Sequence, residues 1–67
     1  MTVHIYLGDK KYELEDGYAL NEPLVNQSFF LQEDGGERTR YTVVRVNNVL
    51  INSGNHLDVI KEIYLEV

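Results

Sequence analysis

The sequence predicts a mainly β fold: a small antiparallel barrel or roll of five to six short strands, with one short helical turn before the last strand. Three observations carry that expectation. Apolar residues recur with a period of two in several short stretches. Those stretches are rich in β-branched and aromatic residues, which suit a pleated, half-buried surface. Pairs containing glycine or asparagine separate them at turn spacing. An α+β roll is the alternative, should residues 18–27 or 55–62 form a longer helix.

The elements follow in chain order. In TVHIYL, Val3, Ile5 and Leu7 alternate with Thr2, His4 and Tyr6, as in a strand with one buried face. GDK turns the chain back. KYELE then places Tyr12 and Leu14 inward and Lys11, Glu13 and Glu15 outward, so residues 2–15 read as a hairpin. Residues 16–27 lack a clean period, and Pro23 has no N–H for a central strand, so this stretch reads as a long loop. Its runner-up is a single helical turn capped by Asn21, with Pro23 in the first turn.

SFFLQED and RTRYTVVRV flank a glycine pair and should be antiparallel partners. Asn47–Asn48 is a second turn candidate, because asparagine tolerates the left-handed conformation. VLIN would then return beside VVRV. In SGNHLDVIKE, Gly54 acts as a breaker, Asn55 as an N-cap and Asp58 as its capping-box partner, with Leu57 and Ile60 on one side of a short helical turn. IYLEV closes the chain with Ile63, Leu65 and Val67 on one face. A long first loop, a meander and a helical turn before the closing strand make an SH3-like order of elements.

Sixty-seven residues form one domain, 1–67, near the lower limit for folding without disulfides or metal. With 43% hydrophobic and 25% charged residues the composition is that of a folded globular chain, so marginal stability or dimerisation is expected rather than disorder. There is no cysteine, hence no disulfide framework and no thiolate metal site, and a reducing cytoplasm is the simplest setting. The longest apolar run, Val49–Ile51, is far too short to span a bilayer, and the N-terminus has no export-signal pattern. A net charge of −5 disfavours sequence-independent binding to a phosphate backbone but leaves room for a local basic patch.

Such a patch is suggested by GGERTRYTVVRVNN, residues 35–48, which holds all three arginines. A turn at Asn47–Asn48 would oppose Val46 to Val49, Arg45 to Leu50 and Val44 to Ile51, leaving Arg45 and Leu50 outward. Strict alternation backward from there would bury Arg38 and Arg40, so the parity must switch. The adjacent Val43 and Val44 are the natural place for a β-bulge, with Tyr41 and Val43 inward before it and Val44 and Val46 inward after it. A two-residue turn at Gly35–Gly36 would set Phe30 against Tyr41 on the inner face, with Phe29 and Leu31 outside. The resulting partner-binding candidate is Arg38, Arg40, Arg45, Phe29, Leu31 and Leu50, a mixture of guanidinium and apolar groups favoured at interfaces. Two competing readings stand beside it. Glu33 and Glu37 would make ordinary charge pairs with Arg38, worth under about 1 kcal/mol each. A one-residue shift of register would also move Phe29 and Leu31 into the core.

Little else points to chemistry. His4 and His56 lie on distant elements, and His56 with Asp58 does not make a coordination shell. Ser28 and Ser53 sit in no nucleophile motif, and Gly35–Gly36 is not followed by the residues of a phosphate loop. No catalytic, metal or cofactor site is therefore expected. Tyr6 and Tyr64 lie opposite the apolar phases of the first and last strands, so if those strands are neighbours the rings meet outside, where they could stack bases or meet a partner.

The expected function is that of a non-enzymatic interaction module, binding a protein partner or itself through the arginine/aromatic face or an open strand edge. Nucleic-acid binding through Arg38, Arg40 and Arg45 is the alternative. A third reading is an acidic inhibitor of a nucleic-acid-processing protein, built on ELED at 13–16 and QEDGGE at 32–37. A short cysteine-free chain of this kind suits a bacterial or phage accessory protein.

Overall fold

The computed structural model describes residues 2–14 and 25–67. Among them are five strands: β1 (Thr2–Leu7), β2 (Lys10–Leu14), β3 (Ser28–Gln32), β4 (Arg38–Ser53) and β5 (His56–Glu66). They form one sheet in the order β2-β1-β5-β4-β3, curled into a half-barrel. The expected all-antiparallel sheet is corrected to a mixed one, because β1 and β5 run parallel while every other pair is antiparallel.

The first hairpin forms as the alternation dictates. Gly8 takes φ +63° as the first of two turn residues, and Val3, Ile5 and Leu7 face inward opposite Leu14, Tyr12 and Lys10. The proposed loop at 16–27 and the helical turn at Asn21–Pro23 fall mostly outside the described residues. Only its last part is seen, where Asn26 has φ +76° and Asn26 and Gln27 bond the backbone of Val43.

Two turn assignments are corrected. Asn47 and Asn48 do not turn the chain; they lie in the middle of a continuous sixteen-residue β4. The turn is Gly54–Asn55, between Ser53 and His56, with Gly54 at φ +71° in the first central position that a type II′ hairpin reserves for glycine. Asn55 is thus a turn residue rather than an N-cap. The helical turn expected before the last strand is absent, and residues 56–60 belong to β5. Cross-strand pairing with β4, from Ser53–His56 down to Val49–Ile60, satisfies the backbone groups that a helical turn would have satisfied locally.

A bulge does occur between Val43 and Arg45. Val44 is the extra residue and is exposed, so only Val43 and Val46 face inward there. Because β4 runs straight on, Val49 and Ile51 share a face with Arg45, and Leu50 falls on the other.

The core comprises Val3, Val43, Ile63 and Leu65, with Ile5, Leu7, Leu14, Phe29, Tyr41 and Val46 packed around it. Beyond it the distal halves of β4 and β5 continue as a two-stranded arm. Among the described residues Leu50–Ser53 pairs only with His56–Val59, and β1 stops beside Ile60. The molecule measures 45 × 24 × 23 Å.

Candidate outer-face interaction site

Register decides what the convex face of the sheet presents. The connection from β3 to β4 is not a two-residue turn. Glu33 donates its N–H to the Glu37 carbonyl at 2.7 Å, which leaves Asp34, Gly35 and Gly36 as a three-residue loop, with both glycines at positive φ. The pairing therefore shifts by one: Phe29 opposes Tyr41, Phe30 opposes Arg40 and Leu31 opposes Thr39. Phe29 and Leu31 lie on the inner face. Phe30, assigned inward by the shorter turn, lies outward and is 63% exposed.

The three arginines nevertheless share the outer face. Arg38, Arg40 and Thr42 alternate with inward Thr39, Tyr41 and Val43, and the bulge returns Arg45 to the same side, opposite Tyr64. Leu50 leaves the group, since it pairs with Val59 on the inner side of the sheet. Of the eight residues singled out from sequence, Arg38, Arg40, Arg45, Tyr6 and Tyr64 come together on one face, whereas Phe29, Leu31 and Leu50 lie on the other.

Tyr6 and Tyr64 become neighbours through the parallel β1–β5 pair. Their rings stack with centroids 4.5 Å apart and planes 8° from parallel, and the Arg45 guanidinium carbon sits 4.2 Å from the Tyr64 centroid. The result is a three-layer stack of cation, ring and ring across β4, β5 and β1. The cation–π and ring contacts are each worth roughly 0.5–1.5 kcal/mol. Tyr6 Oη donates to Glu62 Oε2 at 3.2 Å, and Asn47 Nδ2 reaches Glu62 Oε1 at 3.5 Å. Partial burial of the Tyr6 hydroxyl, then this hydrogen bond and the negative charge of Glu62, hold its pKa above the usual tyrosine value. Next to the stack is a depression of about 360 Å3 bounded by Tyr6, Gly8, Val44, Arg45, Tyr64 and Glu66.

The other two arginines are held by neutral partners. Arg38 donates from Nε and Nη2 to Gln32 Oε1 at 3.1 and 2.8 Å, and Arg40 donates from the same two atoms to Ser28 Oγ, both at 3.1 Å. No ion pair between these arginines and a carboxylate forms among the described residues. The ion pairs seen there are those of the histidines: His4 with Glu13 at 3.3 Å, and His56 with Asp58 at 3.1 Å. No group of three metal-ligating side chains occurs among the described residues.

Sequence reasoning missed Phe30, which stands between Ser28 and Gln32 on β3, the strand where the Arg40 and Arg38 guanidinium groups are anchored. Counting three loop residues rather than two was the signal that would have found it. β3 is also an edge of the sheet formed by the described residues, and its sequence SFFLQ has neither the lysine nor the proline that commonly guards such edges. No helix of the described residues is long and apolar enough to cross a membrane. Comparison with protein-family models, with curated proteins and with solved structures finds no match for this chain.

Proposed function

We propose that this chain is a non-enzymatic interaction module whose convex face binds a carboxylate-bearing segment of a protein partner. One observation carries the reading: Arg38, Arg40 and Arg45 are displayed on a single face, and among the described residues each is oriented by a neutral side chain or a ring rather than by an acid. Guanidinium groups fixed this way keep their charge free for an incoming carboxylate and have already lost part of the rotamer freedom that binding would otherwise remove. Phe30 and the Tyr6–Tyr64 pair add rigid aromatic surface beside them. The β3 edge offers main-chain hydrogen bonds to the same partner.

Two coarser attributes belong to the same proposal. The curled five-strand sheet with glycine turns supports an SH3-like architecture, from which the uninterrupted last strand departs. The lack of cysteine supports a cytoplasmic setting.

A second reading, single-stranded nucleic acid, is favoured by the Tyr6–Tyr64–Arg45 stack, because aromatic platforms beside cations are how unpaired bases are held. The net charge of −5 weighs against it. The test is to measure binding of wild type and of the Arg40→Glu, Arg45→Glu variant to an array of acidic peptides and to a labelled oligothymidine, at low and high salt. Peptide binding lost in the variant supports the first reading. Oligothymidine binding that falls steeply with salt supports the second. Loss of neither peptide nor oligonucleotide binding in the variant removes the arginine face from both.

A further inference from the structure

The opposite, concave face carries a different message. By strand alternation its described residues are Val3, Ile5, Leu7, Lys10, Tyr12 and Leu14 on β1 and β2, Phe29 and Leu31 on β3, and alternate residues of β4 and β5 from Tyr41 and Leu65 out to Leu50, Leu57 and Val59 on the arm. The face is apolar over the half-barrel and again on the arm, with the Asn48–Lys61 pair between the two. Over the barrel it forms a groove of about 200 Å3, floored by Ile5, Leu7, Phe29, Tyr41, Ile63 and Leu65. On the arm, Leu50, Leu57 and Val59 are 66, 58 and 45% exposed. A two-stranded ribbon with bare apolar side chains is at best marginally stable in water.

Charge separates the two faces as sharply. The strand carboxylates Glu13, Asp58, Glu62 and Glu66 all lie on the convex side, and in a chain of net charge −5 the described strand residues of the concave side include no carboxylate. Two copies meeting through this face would not bring their acids together.

The dimensions point the same way. The accessible surface, 5220 Å2, exceeds by about 800 Å2 the roughly 4400 Å2 expected of a compact monomer of this mass. The radius of gyration, 13.2 Å, exceeds the roughly 11 Å of a compact domain of this length. An excess of about 800 Å2 is what each partner buries in an interface of standard size.

We infer that the occupant of the concave face is a second copy of this chain. Two molecules pack face to face and antiparallel, and the Leu50, Leu57 and Val59 surface of each arm closes the half-barrel groove of the other. The contact is isologous, as a two-fold dimer requires, because arm and groove belong to one face of one sheet. It leaves the arginine face outward on both copies, so it holds or fails independently of the function proposed above.

Light scattering on wild type and on Leu50→Lys, Leu57→Glu and Arg40→Glu, Arg45→Glu double variants tests it, with circular dichroism confirming that each is folded. The expected masses are twice 7.8 kDa for wild type and the arginine variant, and 7.8 kDa for the arm variant. A monomeric wild type, or a dimer that survives the arm substitutions, overturns the inference. The arrangement is read by mixing Leu57→Cys chains with Leu31→Cys chains under oxidising conditions, since the native chain has no cysteine to interfere. A mixed disulfide in excess of either self-linked product is expected. Leu57→Cys linking mainly to itself would mean arm against arm and overturn the packing of arm into groove.

Discussion

Tyr64 is the residue on which the convex face converges, stacked on Tyr6 below and covered by Arg45 above. Replacing it with alanine removes both contacts, and a loss of about 1–2 kcal/mol is expected in urea unfolding. Arg45→Ala should cost under about 1 kcal/mol by the same measurement, because only the cation–π contact goes. Tyr6 supplies a pH signature. Its folded pKa is raised, so the folded state holds the phenolic proton to higher pH than the unfolded state does. The associated stability is fully present below the ordinary tyrosine pKa and is lost as pH rises through the folded value. Ultraviolet titration should show one tyrosine ionising late, and Glu62→Gln should bring it back toward the ordinary value, since the acceptor carboxylate and its charge are both removed.

At the scale of elements, glycine placement decides the architecture. Gly54→Val forces a β-branched side chain into φ +71° and should cost at least about 1–2 kcal/mol, whereas Asn47→Thr and Asn48→Thr, mid-strand, should be tolerated or mildly stabilising. Thermal melting of the three variants separates a turn at Gly54 from one at Asn47. The sequence made the first hairpin, the inward set Val3, Ile5, Leu7 and the bulge at Val43–Val44 legible, because period-two alternation and a break in it are local properties. It misled at Asn47–Asn48 and at Gly35–Gly36. Asparagine pairs are permitted in turns but not confined to them, and loop length, which fixes register, depends on which residues close the loop. The gathering of Arg38, Arg40 and Arg45 was readable from the parity break at Val43–Val44; the exchange of Phe29 for Phe30 hinged on one loop residue. The arm escaped notice because Gly54–Asn55 fits a helix start as well as a hairpin, and only pairing with β4 chooses between them.

Few of the described residues are fully buried. Ile63, 1% exposed and central in β5, should lose about 2–5 kcal/mol on substitution by alanine, much of what a domain this small possesses. Chemical denaturation should show Ile63→Ala largely unfolded at room temperature in dilute solution. The parallel pairing of β1 with β5 has a consequence in time as well as in space. Thr2 lies beside Ile60 and Leu7 beside Leu65, a separation of 58 positions throughout, so the centre of the sheet is made from the strands farthest apart along the described chain. The β1–β2 hairpin is local and can form early, but among the described strands its other partner is the distant β5. Val3 then waits exposed for Ile63 and Leu65, and loop-closure entropy makes that final docking the slow step. Refolding should therefore show hairpin formation well before the protease resistance that comes with docking of β5.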